Sequence, residues 1–441
     1  LHKSERLAMD DSFWQKEIET MDLPLLRSIQ LERLQKSVAA AAAAPFYGRQ
    51  FAEKGLGAIG SLEDLARYPF TGKQDLRDNF PYGFLTKPLD ETVRLHSSSG
   101  TTGIPTVVFY TPGDLDVWTE CVTRSMYMTG ARKSDVFQNM MGYGLFTGGI
   151  GFHYGAERLG MLTIPSGPGN SKRQIWFMKT FNTTVMHILP SYALHLMTYF
   201  AEEGVDPQKD LSLRIAFIGA EPHSEGVRQK IQEFYGIRAY NSYGLSEMCG
   251  PGVAFECPAQ DGMHVWEDHF YPEIINPETG ELVPDGEEGE LVLTTLSKTA
   301  MPLIRYRTRD LTRIIPGPCA CGRTHRRIQR ITGRSDDMLI INGVNIFPVQ
   351  IEKVLMTIPE IGNNYLIEIV KENFMDRIIV KVEIKPEAFH GRLEQLSALQ
   401  HRIADALHTD LVVSPVVKLV EPGSLPVAEG KAKRVYDLRN A

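Results

Sequence analysis

Residues 97–106 read Ser-Ser-Ser-Gly-Thr-Thr-Gly-Ile-Pro-Thr and directly follow a predicted strand at residues 92–96. The two glycines allow the backbone to turn several N–H groups towards one point, and the hydroxyl groups add further donors. Such a concavity suits a polyphosphate. The stretch is not a Walker A loop, because it has no Gly-Lys-Ser/Thr group at the required spacing. A strand followed by this loop predicts a phosphate site in an α/β domain, with a plain surface loop as the alternative.

Short apolar strands alternate with helices on the C-terminal side of this loop, up to about residue 240. A strand at 184–189 precedes a helix around 192–200, and a strand at 213–218 precedes a helix around 225–235. This alternation predicts a mostly parallel sheet covered by helices. Thr111, Pro112 and Asp114 together are typical of a helix start, with Thr111 as the N-cap.

The pattern of the sequence changes from about residue 257 onwards. Residues 257–330 contain short β-rich runs separated by Gly and Pro turns, as in hairpins. Residues after Gly333 predict a ferredoxin-like β-α-β-β-α-β unit. Its strands are predicted near 338–341, 364–370, 377–384 and 416–420, and its helices near 349–356 and 392–408. We therefore predict an α/β protein: a large N-terminal α/β domain with mostly parallel sheets and a β-rich part at residues 1–333, and a small C-terminal α+β domain at residues 334–441.

Composition limits the class of protein. With 441 residues the chain is too long for one ordinary hydrophobic core, so two or three domains are expected. The formal net charge of −7 argues against a general nucleic-acid binder. No apolar run approaches the roughly 20 residues that span a bilayer, and the first residues lack the features of a secretory signal. Five cysteines are too few for a disulfide scaffold, so we expect a cytoplasmic enzyme.

The loop at residues 98–106 resembles the phosphate-binding signature of the adenylate-forming superfamily. That superfamily comprises acyl-CoA synthetases, the adenylation domains of peptide synthetases, and luciferases. More narrowly, the chain resembles phenylacetate–CoA ligases over essentially its whole length. The most similar runs are FTGKQDLR at residues 70–77, WEDHFYPE at residues 266–273 and DDMLIINGVNIFP at residues 336–348.

The resemblance implies an activity. The protein would use ATP with Mg²⁺ to convert phenylacetate, or a close aryl-acetic acid, into an acyl-adenylate and would pass the acyl group to coenzyme A, releasing AMP and pyrophosphate. It also implies a homodimer. From the net charge and the lack of a long apolar run, we expect neither a nucleic-acid nor a membrane partner. An adenylation enzyme that loads another aryl acid onto a carrier protein is the main alternative. An RNA-recognising zinc-ribbon protein and a P-loop phosphotransferase fit less well, because of the acidic balance and the missing loop lysine.

By the same resemblance, several motifs form a nucleotide site. Tyr243 would lie against adenine, Glu247 would help to hold Mg²⁺, and Asp310 would accept hydrogen bonds from the ribose hydroxyls. Arg334 would approach ribose or phosphate. The complete set of predicted nucleotide-binding residues is Ser98, Ser99, Gly100, Thr101, Thr102, Gly103, Gly219, Ala220, Glu221, Pro222, Asn241, Ser242, Tyr243, Gly244, Asp310 and Arg334.

The acid is predicted to bind near residues 142–152, where glycines alternate with aromatic residues. Small residues beside flat rings suit an aryl group, although packing turns would look similar. The predicted acyl pocket comprises Tyr143, Phe146, Gly149 and Gly244. By resemblance, Lys73 would bind the free carboxylate. Lys431 would bridge that carboxylate and the α-phosphate, where charge builds during the attack. An ordinary surface lysine is the alternative for each.

The resemblance also implies a mobile C-terminal domain that rotates between an adenylating and a thioester-forming pose. Asp336 would be the hinge residue. Gly343, Val344 and Asn345 would face the coenzyme A tunnel, where a glycine permits close passage of the thiol arm.

Four residues far apart in sequence fit a structural zinc site. Cys257 and His264 precede a hairpin-like stretch, and Cys319 and Cys321 follow it in a Gly/Pro turn. Three thiolates and one imidazole can form a closed tetrahedral site. The spacing is not that of a standard zinc ribbon, and His325 competes with His264 for the fourth position. We predict structural zinc, with free thiols as the alternative.

Overall fold

The structure of the protein is a computed structural model that describes residues 12–98, 105–342, 344–372, 375–388, 393–411, 413–426 and 433–439. These residues form a large N-terminal domain of α/β type and a smaller C-terminal α+β domain. Within the described ranges, no helix combines the length and the apolar character that crossing a bilayer requires.

Helices of the large domain cover its sheets. In chain order they are α1 (Lys16–Glu19), α2 (Leu23–Ala41), α3 (Pro45–Glu53), α4 (Lys73–Asp78), α5 (Pro112–Met128), α6 (Thr147–Leu159), α7 (Ser171–Thr180), α8 (Pro190–Glu202) and α9 (Glu225–Tyr235). Helix α5 begins as the sequence predicts. Thr111 Oγ1 accepts a hydrogen bond from Asp114 N at 3.1 Å, and Asp114 Oδ2 accepts one from Thr111 N at 2.9 Å. This reciprocal pair satisfies two N–H groups that the helix start leaves without partners.

The strands of the large domain are β1 (Arg94–Ser97), β2 (Val107–Tyr110), β3 (Val136–Asn139), β4 (Leu162–Ile164), β5 (Val185–Ile188), β6 (Ile215–Gly219), β7 (Arg238–Leu245), β8 (Gly250–Glu256), β9 (Met263–Val265), β10 (Phe270–Ile275), β11 (Gly289–Thr295), β12 (Tyr306–Thr312), β13 (Ile314–Ile315), β14 (Arg327–Ile328) and β15 (Gly333–Arg334). The main sheet has the order β13-β14-β9-β8-β7-β6-β5-β3-β4, and its strands β3 to β7 run parallel. Every residue of β5 and β6 is buried, because helices cover both faces of a parallel sheet.

A second, antiparallel sheet carries residues of the predicted ribose site. Its order is β10-β11-β12-β15. In the pairing of β12 with β15, Asp310 lies opposite Arg334. Thr71 forms a bridge with Tyr306 at the start of β12, which brings the segment before α4 to this sheet. The β-rich part that the sequence predicts is thus divided: β10, β11 and β12 belong to this second sheet, whereas β9, β13 and β14 extend the main sheet.

The small domain contains β16 (Leu339–Ile341), β17 (Val344–Ile346), α10 (Pro348–Leu355), β18 (Ile361–Glu372), β19 (Met375–Ile384), α11 (Leu393–Leu411), β20 (Val416–Val420) and β21 (Val435–Asp437). Its described strands form a sheet with the order β20-β19-β18-β21. The sequence assigns the strand near 338–341 to this sheet. In the structure, β16 pairs instead with β17, and β21 lies beside β18. The reason is local: Asn342 adopts a left-handed φ of 49°, as an Asn-Gly hairpin turn requires, so the chain reverses directly after Ile341.

One cluster of buried apolar side chains joins the two domains. It includes Leu194 of α8 and Val227 of α9, together with Met356 and Tyr365 of the small domain. The small domain therefore packs against the helices that follow β5 and β6. The second of these strands, β6, carries the predicted nucleotide wall at its carboxyl end.

Candidate active site

The predicted adenine wall lies at the carboxyl end of β6. Ala220 adopts a left-handed φ of 65°, which turns the chain out of the sheet directly after Gly219. Glu221 Oε1 then accepts a hydrogen bond from Ser191 N at the start of α8, at 2.7 Å. His223 Nε2 lies 2.6 Å from Oδ1 of Asn241 on the neighbouring strand β7. The wall is thus fixed at both ends.

A polar cluster suited to ribose connects three of the predicted residues. The Tyr243 hydroxyl donates to Asp310 Oδ2 at 2.6 Å, and Arg334 Nη1 donates to Asp310 Oδ1 at 3.2 Å. Burial, reinforced by the nearby Asp310 carboxylate, raises the pKa of Tyr243 well above its usual value, so its hydroxyl stays protonated and donates. Arg334 also donates to both carboxylate oxygens of Asp336, each at 2.9 Å. The predicted ribose residues and hinge residue are therefore in contact with one another.

Glu247 lies where two cations and a hydroxyl converge. Lys73 Nζ is 4.0 Å from Glu247 Oε1, and Thr106 Oγ1 donates to the same oxygen at 3.2 Å. Lys298 Nζ donates to the backbone oxygen of Glu247 at 3.1 Å. Burial lowers the pKa of Lys298, against the opposing influence of Cys249, Asp114 and Glu247. This arrangement holds the Glu247 carboxylate beside the phosphate loop, where oxygen ligands for Mg²⁺ are expected.

The two ends of the phosphate loop are held together. Ser98 N donates to Thr106 O at 3.0 Å, and Ser98 Oγ accepts from Thr106 N at 3.0 Å. The loop itself, with Ser99, Gly100, Thr101, Thr102 and Gly103, lies outside the described residues, as do Gly343 and Lys431. The same holds for the side chain of Asn345, whose backbone pairs with Ile340 in the β16–β17 hairpin beside Val344.

The residues predicted for the acyl pocket differ in their surroundings. Tyr143 is half-buried: its hydroxyl accepts from Asn139 Nδ2 at 2.9 Å, and burial raises its pKa to about 12. Phe146, the N-cap of α6, is 49% exposed and so does not line an enclosed space. Gly149 and Gly244 allow neighbouring backbone segments to pack closely, because they have no Cβ atom. A Cβ at Gly149 would lie 2.5 Å from the oxygen of Gly142, and one at Gly244 would overlap the oxygen of Gly250.

A cavity of about 530 Å³ lies between the two domains. Glu221 and His223 line it from the large domain, Arg334 and Asp336 from the junction, and Arg434 from the small domain. The predicted adenine wall and the predicted ribose and hinge residues thus face one interdomain space.

The four predicted zinc ligands come together near the end of β8. Their ligand atoms all lie within 4.8 Å of one another. Cys257 Sγ is 3.6 Å from Cys319 Sγ, and Cys321 Sγ is 3.3 Å from His264 Nε2. His264 Nδ1 lies 2.8 Å from the backbone oxygen of His325, a contact that places the proton on Nδ1 and leaves Nε2 as a ligand atom. His325 is directed elsewhere, since its Nδ1 accepts from Glu267 N at 2.9 Å.

Comparison with known proteins agrees with this geometry. Residues 63–299 match the family described as AMP-binding enzyme, and residues 343–439 match the AMP-binding enzyme C-terminal domain. Phenylacetate-coenzyme A ligase of Pseudomonas putida is 47% identical over 444 residues, which cover 100% of this chain and 99% of the relative. The ligase of the same name from Aromatoleum evansii is 49% identical over 420 residues, which cover 94% of each chain. The chain belongs to the phenylacetate-coenzyme A ligases. The predicted family, fold class and type of enzyme, an acid–thiol ligase that acts through an acyl-adenylate, are confirmed.

Solved structures of 2-hydroxyisobutyryl-CoA ligase show which domain arrangement this phenylacetate-coenzyme A ligase family member adopts. The structure in the postadenylation state with 2-HIB-AMP has a TM-score of 0.91 at 31% identity, with 97% of this chain and 93% of that chain covered. The structure in the thioesterification state with 2-HIB-AMP and CoA has a TM-score of only 0.72 at 32% identity, with 98% and 93% covered. Since both are structures of one enzyme, the arrangement described here matches the postadenylation state.

Sequence reasoning missed two residues of this ligase site. Lys298 is the single charged residue among residues 291–304. This isolated position in the sequence could have indicated a buried lysine. His223 directly follows the predicted wall motif, and burial, aided by Arg330, lowers its pKa to about 4. Its contact with Asn241 depends on the pairing of β6 with β7 and could not be read from the motif alone.

Proposed function

We propose that the enzyme activates phenylacetate, or a close aryl-acetic acid, with ATP and transfers the acyl group to coenzyme A. The acid carboxylate attacks the α-phosphate, which gives phenylacetyl-adenylate and pyrophosphate. The thiol of coenzyme A then attacks the acyl carbon and displaces AMP. The observation that carries this proposal is the identity of 47% over the full chain to a phenylacetate-coenzyme A ligase.

In this proposal ATP binds in the interdomain cavity. Asp310, already fixed by Tyr243 and Arg334, accepts from the ribose hydroxyls, and the wall from Gly219 to Pro222 contacts adenine. Glu247 would hold Mg²⁺, and the fit is supported by the convergence of its carboxylate and the Thr106 hydroxyl beside the phosphate loop. When bound, Mg²⁺ would neutralise charge on the triphosphate.

The two lysines act on the acid in this proposal. Lys73 lies beside Glu247, at the side of the site where the carboxylate approaches the phosphates. Lys431 binds the attacking carboxylate and the α-phosphate together, so its charge stabilises the transition state. The Tyr143 side chain and the backbone near Gly149 and Gly244 line the space that the aryl ring occupies in this proposal.

We further propose that residues 1–333 and 334–441 move as two bodies about Asp336. Support comes from the contacts of Arg334, which links Asp310 of the large domain to Asp336. The hairpin at Val344 and Asn345, together with Gly343, then faces the thiol arm after rotation. A homodimer and a cytoplasmic location stay predictions.

Zinc is the metal that best fits the Cys₃His cluster in this proposal. Three sulfurs and one imidazole nitrogen are the ligand set of closed structural zinc sites. The support is the mutual approach of the four ligand atoms and the orientation of His264 by the backbone of His325. The metal would fasten the end of β8 to the turn at Cys319 and would contribute to folding rather than to catalysis.

An acid screen tests the proposed function. The enzyme is supplied with ATP, Mg²⁺, coenzyme A and one acid at a time: phenylacetate, benzoate or a straight-chain acid. Chromatography then measures AMP and the CoA thioester. We expect equal amounts of both products, with phenylacetate the most active. AMP release without a CoA thioester would favour loading of a carrier protein, and ADP would contradict the proposal.

A further inference from the structure

A buried carboxylate of the small domain contacts the start of a large-domain helix. Glu352 of α10 is 8% exposed, and its Oε1 accepts a hydrogen bond from the backbone N–H of Ser224 at 2.6 Å. Ser224 is the N-cap of α9, and its Oγ accepts from Val227 N at 3.3 Å. The first N–H groups of a helix have no partners within the helix, and its N-terminus favours negative charge. Glu352 therefore supplies both an acceptor and a charge from the other domain.

The other oxygen of Glu352 is held within the small domain. Oε2 accepts from the Tyr365 hydroxyl at 2.9 Å. Burial, with the adjacent Glu352 carboxylate, raises the pKa of Tyr365 well above its usual value, so this hydroxyl stays a donor. Arg434 fixes Tyr365 from the opposite side: its Nη1 donates to Tyr365 O at 3.0 Å, and its guanidinium lies 4.5 Å from the ring centre. Arg434 stands three positions after Lys431 in the chain.

Apolar and polar contacts surround this connection. Met356 packs against the first turn of α9, where a Cβ at Gly226 would lie 3.1 Å from the Met356 Cβ. Lys230 Nζ of the same helix is 3.4 Å from Met356 Sδ. Asn363 Nδ2 donates to Leu194 O of α8 at 3.3 Å. The interdomain contact is therefore a packed interface, and Glu352 is a buried carboxylate within it.

The connection joins two parts of the proposed site. On the large-domain side, Ser224 lies two positions after Pro222, the last residue of the predicted wall. On the small-domain side, Tyr365 contacts Arg434, which lines the interdomain cavity. We propose that Glu352 is a positioning residue for adenylate formation: it seats the small domain, to which Lys431 belongs by sequence, beside the nucleotide wall in the arrangement that forms the adenylate. This inference rests on the proposed function.

The proposed rotation of the small domain would break the contact between Ser224 and Glu352. The hydrogen bond between Ser224 and Glu352 crosses between the domains and must break when they move apart. The contacts of Tyr365 with Glu352 and Arg434 lie within the small domain and move with it. Glu352 therefore stabilises the arrangement that matches the postadenylation state and contributes nothing to the thioester-forming arrangement.

The test compares the two half-reactions in Glu352→Ala. Adenylate formation is measured as phenylacetate-dependent exchange between labelled pyrophosphate and ATP. Thioester formation is measured from synthetic phenylacetyl-adenylate and coenzyme A. We expect kcat for exchange to fall roughly 10-fold or more, as for loss of a hydrogen bond to a charged group. Although Glu352 lines the interdomain cavity, both of its carboxylate oxygens are already hydrogen-bonded, to Ser224 and to Tyr365, so the loss should fall on kcat rather than on the KM for ATP. Thioester formation should be retained or become faster.

Two further variants keep this test decisive. Tyr365→Phe removes only the hydroxyl that orients Glu352, so it should weaken exchange in the same direction and by less. Glu372→Ala is the matched control, since Glu372 is exposed on the small domain, where it pairs with Arg377. It should leave both half-reactions unchanged. Thermal unfolding is measured for each variant.

Each outcome has one meaning. A folded Glu352→Ala enzyme with unchanged exchange, or with equal losses in both half-reactions, would overturn the positioning role. If Glu352→Ala does not fold, Tyr365→Phe decides by the same criterion. Absence of exchange in the unaltered enzyme with every acid would instead contradict the proposed function itself.

Discussion

Two buried histidines lie near the carboxyl ends of neighbouring strands in the main sheet: His187 in β5, and His223 shortly after β6. Burial lowers the pKa of His187 from 6.5 to about 3, where its ring packs against Phe152. Burial, aided by Arg330, lowers that of His223 from 6.5 to about 4. Both rings are therefore neutral at physiological pH. Charge beside the proposed nucleotide site comes instead from other groups, among them Asp310, Arg334 and the cluster around Glu247.

These depressed values predict a pH dependence of stability. Between pH 6.5 and pH 4 the unfolded chain binds protons at both histidines while the folded protein does not, so the free energy of unfolding falls as the pH is lowered. Each histidine contributes about 1.4 kcal/mol per pH unit in this window. Urea unfolding at a series of pH values measures the slope. His223→Gln should reduce it, and His408→Gln, at an exposed position, should not. A slope that is the same in all three proteins would refute this assignment.

At the residue scale, motifs were enough to find most of the proposed nucleotide site. They identified Tyr243, Asp310 and Arg334 separately. They could not show that the Tyr243 hydroxyl donates to Asp310, because that bond spans 67 positions and depends on how β7 and β12 come together. Phe146 illustrates the opposite limit. Its aromatic character suggested a pocket, but its place at the exposed start of α6 is set by the turn before that helix.

At the level of helices and strands, the sequence predicted the bounds of an element correctly where its cap or its apolar pattern was clear. The Thr111 cap fixed the start of α5, and α9 and β11 occupy the ranges 225–235 and 289–295 that the sequence predicts. The β16–β17 hairpin was missed although its turn signal, Asn342 followed by Gly343, was present. The expected ferredoxin-like order of elements led instead to the prediction that the strand near residues 338–341 belongs to the sheet of the small domain.

The Cys₃His cluster allows a prediction for one such element. Protein purified without chelator should contain about one zinc per chain, and Cys319→Ser combined with Cys321→Ser should remove it. The double variant should unfold on the order of 10 °C lower, because a structural zinc adds directly to folding free energy. The KM for ATP should change little. Elemental analysis and calorimetry provide the measurements, with Cys121→Ala as the control for loss of a buried thiol. Metal-free protein of undiminished stability would exclude the zinc site.

At the scale of the whole molecule, the sequence predicted two domains but not how they are placed. The contact that seats them, between Ser224 and Glu352, joins residues 128 positions apart and belongs to no motif. Domain placement depends on many weak contacts across an interface, each of which has little signature in sequence. The domain arrangement, which agrees with the postadenylation structure at a TM-score of 0.91, could therefore not be predicted from sequence motifs.

The two-pose account predicts a selective defect for Lys431→Ala. Adenylate formation should fall by roughly 10²–10³-fold, if this charge contributes as one oxyanion-hole donor does. Formation of phenylacetyl-CoA from synthetic phenylacetyl-adenylate should survive, since the lysine acts only in the first pose. Lys418→Ala, at an exposed position of β20 that does not line the interdomain cavity, serves as the control and should affect neither step strongly. Equal losses in both steps would mean that Lys431 is structural or that the small domain does not rotate.

If an acyl-adenylate forms before coenzyme A takes part, the enzyme should exchange pyrophosphate with ATP in the absence of coenzyme A. The unaltered enzyme is incubated with ATP, Mg²⁺, labelled pyrophosphate and phenylacetate, without coenzyme A, and label in ATP is measured over time. We expect label in ATP that depends on phenylacetate and needs no coenzyme A. Exchange that appears only when coenzyme A is added would contradict it.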